Sequence, residues 1–96
     1  MSGRRTVYEI YWEILVYCKT PRSFSAIISR CDLNSKLGQE YLEFLVSREY
    51  LTIIRDGERT SYQSTPKAAE YVALFSSLYQ KLFDSLPGSG YNPVPG

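Results

Sequence analysis

Ser35, Lys36, Gln39 and Glu43 are the side chains whose types and spacing could do recognisable chemistry, because at helical periodicity they share one side of a single turn-and-a-half to two turns. Glutamine can form two hydrogen bonds to an adenine edge, lysine can reach guanine acceptors or a phosphate, and glutamate can accept from the cytosine amine. Such a set reads surfaces rather than breaking bonds. The same residues would also serve as the solvated polar face of a core helix. A second group, Arg55 and Arg59, flanks Asp56-Gly57-Glu58. Cations at such a turn can lie along a minor groove or a phosphate strand, or simply discourage edge-to-edge aggregation. Arg4 and Arg5 could form an N-terminal arm, and Lys19, Arg22 and Arg30 stand near the ends of the first two helices, where they could add backbone contacts.

Catalytic chemistry has little to build on. The chain has no histidine, and Cys18 and Cys31 lie too far apart for a Cys-x-x-Cys metal or redox pair. There is no glycine-rich phosphate loop and no clear pair of acids in a pocket. No cofactor, metal or small-molecule substrate is expected, and an enzyme is not expected. The two thiols read as buried small hydrophobes.

The elements that must hold these residues follow from hydrophobic period and capping chemistry. Asn34 is an N-cap for a helix over 35–48. In that helix Leu37, Gly38, Tyr41, Leu42 and Leu45 fall within one arc of about 140°, with Phe44 at its edge. Lys36, Gln39, Glu40, Glu43 and Ser47 fill the other side. Gly38 sits in the packed arc, where a missing side chain admits a crossing helix. That crossing helix is expected just upstream, with Ser23 as cap and Phe24, Ala26, Ile27 and Ile28 leading to about Arg30. After Glu49 the period becomes alternating over Leu51–Arg55, Asp56-Gly57 supplies turn chemistry, and Thr60–Thr65 returns. The whole hairpin, 51–65, reads as a wing.

Two helices look too apolar for an isolated domain. Residues 4–19 carry apolar positions nearly all round, Val7, Ile10, Tyr11, Ile14 and Cys18 on one side and Tyr8, Trp12, Leu15 and Val16 on the other. Thr65-Pro66 then opens a helix from Pro66 to Leu86, about 30 Å long. Its apolar arc runs through Ala68, Tyr71, Val72, Leu74, Phe75, Leu78, Tyr79, Leu82, Phe83 and Leu86. Helical spacing assigns Tyr8, Trp12, Tyr71, Phe75, Leu78, Tyr79 and Leu82 to core and a dimer interface rather than to a base-stacking platform.

Ninety-six residues suit one domain. The divisions expected are 4–65 for the core domain, 66–86 for the long helix, and a Pro- and Gly-rich disordered tail over 87–96. Net charge is only +1, which neither supports nor excludes a polyanionic partner. Placement is more telling, since residues 1–36 carry Arg4, Arg5, Lys19, Arg22, Arg30 and Lys36 against Glu9, Glu13 and Asp32. The start MSGRRTVYE lacks a leader pattern, and no apolar run is long enough for a bilayer, so no membrane partner and a cytoplasmic, nucleoid-associated location are expected.

The segments YEIYWEILVYCK, CDLNSKLGQEYLEFLVSREYL and YQSTPKAAEYV resemble the archaeal winged-helix transcriptional-regulator family over roughly residues 5–83. The most specific part is Cys-Asp-Leu-Asn-Ser-x-Leu followed by Tyr-Leu-x-x-Leu. The resemblance implies a mainly α fold with a small β-hairpin (α+β), a winged helix-turn-helix with a long C-terminal dimerisation helix. It also implies a homodimer paired through an antiparallel coiled coil, as in small crenarchaeal members, and double-stranded DNA as partner. The sequence departs from the family where Thr65-Pro66-Lys67-Ala68 replaces Thr-x-Lys-Gly, and in carrying Glu40 and Glu43 beside a single Lys36 on the reading helix. The alternative reading is a winged-helix protein-interaction module without DNA binding.

Overall fold

The computed structural model describes residues 6–85, with side chains through Lys81. Arg4, Arg5, the side chain of Leu82 and the tail over 87–96 lie outside the described residues. The order is α1 (Val7–Tyr17), α2 (Phe24–Arg30), α3 (Ser35–Ser47), β1 (Leu51–Asp56), β2 (Arg59–Ser64) and α4 (Pro66–Ser85). Each of the first three helices starts at a side-chain cap: Thr6 accepts from Glu9 N, Ser23 from Ala26 N and Asn34 from Leu37 N. Such caps stabilise a helix by about 1 kcal/mol each. The first helix therefore begins at Val7, the first residue of its apolar pattern and a turn later than the expected start at residue 4. Thr6 and Glu9 form a reciprocal capping box that fixes this start, the Glu9 carboxylate accepting from Thr6 N at 2.9 Å.

Helices α2 and α3 end in the same way. Leu33 N donates to Ile28 O at 2.9 Å and Asp32 N to Ser29 O at 3.4 Å, while Tyr50 N donates to Leu45 O at 2.9 Å and Glu49 N to Val46 O at 3.0 Å. These paired bonds are Schellman closures, which need a left-handed residue just past the cap. Asp32 (φ 57°) and Glu49 (φ 67°) occupy those places. Neither is glycine, so each turn carries a backbone cost that the surrounding packing must offset. The closure after α2 sets the sharp turn into α3. The closure after α3 sends the chain straight into β1.

The core consists of Ile10, Ile14, Leu15 and Cys18 of the α1 segment, Ile27 and Cys31, Leu42 and Leu45, Leu51 and Ala68. Ile14, Leu15 and Cys18 are fully inaccessible. Burial of a Leu or Ile side chain contributes about 1.5–3 kcal/mol. α1 is thus the central rod. On one side Tyr11 stacks on Phe44 of α3 at 5.2 Å and meets Tyr41 edge-on at 5.6 Å. On the other α4 crosses it.

β1 and β2 pair antiparallel with Leu51 opposite Ser64 and Asp56 opposite Arg59. Arg22 adds a third, one-residue rung: its N–H donates to Tyr62 O at 3.0 Å and its carbonyl accepts from Tyr62 N at 2.8 Å. This rung ties the α1–α2 connection to the hairpin. β2 is also pinned to α1, since Ser64 N donates to Cys18 O at 2.8 Å and Ser64 Oγ to Leu15 O at 2.5 Å. Thr65 belongs to the α4 start rather than to the strand, accepting from Ala68 N and donating to Glu49 O at 2.6 Å.

Gly38 is buried where α3 crosses α2, and a Cβ there would run into the Ile28 side chain and touch the Phe24 ring at 3.6 Å. Gly38→Val is expected to destabilise the domain by about 1–3 kcal/mol through overpacking, measured by urea unfolding. Adding Ile28→Ala should restore part of the loss, whereas no recovery would place the strain elsewhere. A second expectation concerns the thiols. Cys18 and Cys31 are buried and unbridged, and burial first, then the neighbouring Cys31, pushes the Cys18 thiol up to about 12. Native protein should therefore leave Cys18 unmodified by iodoacetamide at pH 8, while denatured protein reacts. Rapid native modification of Cys18 would contradict this packing.

Candidate nucleic-acid interface

The packed arc of α3 is set by contact: Gly38, Leu42 and Leu45 are buried, and Ser35, Lys36, Gln39, Glu40, Glu43 and Ser47 remain exposed. The four predicted reading residues are therefore together on one uncovered face. Gln39 and Glu43 are already joined, Gln39 Nε2 donating to Glu43 Oε2 at 3.1 Å. That bond orients the glutamine amide and uses one of its two N–H donors, leaving the other N–H and Oε1 for a base edge. Beside this edge, Phe24, Leu42, Val46, Ile53 and Tyr62 line an open apolar recess of roughly 200 Å³ between α3, α2 and the hairpin.

The hairpin divides its two arginines. Directly opposed residues of an antiparallel pair share a face and successive residues alternate. Arg55 stands opposite Thr60, and Arg59 opposite Asp56. Arg55 therefore shares the face of Ile53, which borders the α3 recess. Arg59 shares the face of Asp56 and Ile54 and lines a groove with Pro21, Arg22 and Ser23 at the start of α2. Both are exposed. Gly57 holds the tip at φ 65°, a conformation in which a side chain would be strained.

Arg22 and Arg30 do not join the α3 face. Arg22 Nε donates to Tyr17 O at 3.1 Å, and both guanidinium groups sit over the Tyr17 ring, at 4.3 Å and 5.8 Å. They line a cleft with Lys19 that includes no residue of α3 or of the hairpin. Arg48, not singled out in the sequence, lies at the C-cap of α3, exposed and 5.4 Å over Phe44. Its signal was the Schellman turn itself, which a local pattern without glycine conceals.

The aromatic residues assigned from spacing to a dimer interface are engaged within the chain. Trp12 Nε1 donates to Ser76 Oγ at 2.9 Å and its ring stacks on Phe75 at 5.8 Å. Tyr71, Phe75 and Tyr79 continue the stack along α4, and Tyr71 Oη donates to Tyr8 O at 2.7 Å. Covering α1 is the reason: its outer side needs apolar partners, and α4 supplies them. What α4 leaves uncovered is Leu74, 72% exposed, and Leu78, 55%, one turn apart. Tyr8 and Tyr79 are also exposed. Leu74 was in the apolar arc but not among the predicted interface residues, and its spacing to Leu78 was the available signal.

Burial, then the neighbouring Tyr11 and Tyr50, raises the Tyr71 phenol to about 12. A phenol raised in the folded state favours folding fully below the ordinary value of about 10, and that contribution is lost as pH rises through 12. Wild-type stability in urea should fall between pH 10 and 12. Tyr71→Phe should start lower, by about 1 kcal/mol for the lost hydrogen bond, and fall less steeply. An equal slope in both proteins would remove Tyr71 as the cause.

Among the described residues no helix is long and apolar enough to cross a membrane, and no group of three or more His, Cys, Asp or Glu could hold a metal ion. The chain matches the winged helix-turn-helix family over residues 4–82. Its fold is similar to that of Sso10a-2, a DNA-binding protein from Sulfolobus solfataricus, at 25% identity and TM-score 0.72, covering 84% of this chain and 88% of the other. The transcriptional regulator BldR, also from Sulfolobus solfataricus, aligns at 17% identity and TM-score 0.67 over 84% of this chain and 64% of its own. MarR from Staphylococcus aureus, solved with salicylate and kanamycin, aligns at 19% identity and TM-score 0.72, over 86% and 59%. The chain thus spans nearly all of the first of these and less than two thirds of the other two. No curated protein sequence matches it.

Proposed function

The chain belongs to the winged helix-turn-helix family, and on that premise we propose that it binds double-stranded DNA as a homodimer, as a transcriptional regulator or small architectural protein. The observation that carries the proposal is the face of α3: an N-capped helix, held by a tight turn against α2, keeps Ser35, Lys36, Gln39 and Glu43 uncovered beside a hairpin with exposed cations. In this reading α3 lies in the major groove with its first turns toward base edges. Arg55 grips the adjacent backbone from the hairpin face that borders α3. Arg59 reaches phosphate from the opposite face, and Arg4 and Arg5 add an arm. The protein acts by binding, without a chemical step, a cofactor or a small-molecule substrate, and works on nucleoid DNA in the cytoplasm. Similarity to a DNA-binding protein over nearly its whole length supports the reading.

The surface left over on α4 supports the homodimer reading. Leu74 and Leu78, with Tyr79 and Tyr8 at the margin, form an apolar stripe that pairing of two α4 helices would bury. Trp12, Tyr71 and Phe75 support that stripe from behind, and Leu82 would extend it.

The reader is tested with duplexes selected from a random library. Gln39→Ala should cost about 1–3 kcal/mol on a selected site and relax preference at one base pair. Lys36→Ala should weaken all sequences more evenly. Wild-type affinity and preference in both variants would reject this face. Replacing Arg55 and Arg59 by Ala should make the salt dependence shallower by about 0.9 in log–log slope for each phosphate contact removed. The dimer is tested by sedimentation equilibrium: Leu74→Glu with Leu78→Glu should give monomers that retain their circular dichroism and lose DNA affinity by orders of magnitude, because the second half-site contact is no longer intramolecular. A monomeric wild type would contradict the dimer.

A further inference from the structure

Two guanidinium groups share one phenol ring in a cleft that no α3 residue lines. Arg22 and Arg30 stand 4.3 Å and 5.8 Å from the Tyr17 centroid, and Lys19 lines the same cleft. The three cations come from three places, the turn after α1, the one-residue rung to β2 and the last turn of α2. Like charges gathered in this way repel one another, and attraction to the ring face offsets only part of that cost. Arg22 is anchored through Nε to the Tyr17 carbonyl, which leaves its two terminal amino groups available as a fork.

The cleft has a volume of roughly 400 Å³, and its remaining walls are Trp12, Glu13, Val16, Thr20 and Cys31. Counting Lys19, Arg22 and Arg30 against Glu13, its formal charge is +2. A phosphate monoester carries about −1.5 to −2 at neutral pH and presents oxygens that suit an arginine fork. The indole and phenol offer flat apolar surface to a ring attached to that phosphate.

We propose that this cleft binds a small aromatic phosphate monoester of nucleoside monophosphate size, its phosphate on Arg22, Arg30 and Lys19 and its ring against Trp12 and Tyr17. No residue of α3 or of the hairpin lines the site, so the proposal stands whether or not α3 reads DNA. A duplex presents related phosphate chemistry, as diesters, and the experiment separates the two sources.

Trp12 is the only tryptophan in the chain and reports directly on the cleft. Full-length protein is titrated with adenosine monophosphate, with adenosine, with inorganic phosphate and, separately, with a short duplex, following tryptophan fluorescence and heat of binding. Adenosine monophosphate should give a saturable response with tighter binding than either of its parts. Arg30→Gln should raise its Kd by about tenfold or more, and Arg30→Lys should fall between. Arg30 is exposed at the last residue of α2, so this variant should keep the wild-type circular dichroism. Arg22→Gln should show the same loss; if that variant fails to fold, the Arg30 pair decides. No saturable response to adenosine monophosphate at millimolar concentration, or a response unchanged in Arg30→Gln, would overturn the proposal. A response to duplex alone that depends on both arginines would also overturn it and make the cleft a backbone contact.

Discussion

Everything in this domain depends on covering α1. A helix that is apolar around most of its circumference is stable in water only if neighbours close over it on every side. Ile14, Leu15 and Cys18 are inaccessible because α3 meets one flank, where Tyr41 and Phe44 contact Tyr11, and α4 packs on the other, while β2 is hydrogen-bonded to the end of the helix through Ser64. This need fixes where α3 lies, and with it which α3 residues remain uncovered. The polar face is what remains after Leu42 and Leu45 have met the rod and Gly38 has met α2.

The same need redistributes the aromatic residues. Trp12, Phe75 and Tyr71 stack along the α1–α4 contact and add two hydrogen bonds to it, from Trp12 to Ser76 and from Tyr71 to Tyr8. α4 is consequently both a wall of the core and a carrier of unpartnered surface. Its inward residues are consumed within the chain, and Leu74 and Leu78 point elsewhere. Under the proposed function this joins two tasks in one element, since the helix that closes the core also sets the distance between two copies of α3.

Much of this arrangement was legible in local sequence, for reasons that can be named. Ser23, Asn34 and Thr65 are side chains that satisfy open helix N–H groups, and Asp56-Gly57 supplies a hairpin tip, so these element boundaries follow from short-range chemistry. The capping box at Thr6 and Glu9 was present in the same language, just ahead of the first apolar residue, Val7, although the helix was expected from residue 4. Other features are not local. The Arg22–Tyr62 rung joins residues forty positions apart, and nothing in the wording around Arg22 announces it. Hydrophobic period shows that Trp12 and Phe75 are covered, but not whether the cover is the same chain or a second copy. The opposite facing of Arg55 and Arg59 depends on hairpin register, and the left-handed Asp32 and Glu49 occupy places where glycine would have been the readable signal.

The central claim is that the α3 face and the neighbouring hairpin tip are where this domain meets DNA. Amide chemical-shift mapping by NMR during titration with a short duplex tests it most directly, because it reports every backbone site without altering any residue. The account predicts salt-sensitive shifts concentrated in residues 34–47 and at the hairpin tip around Arg55 to Arg59, with little change at the buried Ile10, Ile14, Leu15 and Cys18. Shifts confined to α4 or to the Tyr17 cleft, or none at low salt, would contradict it.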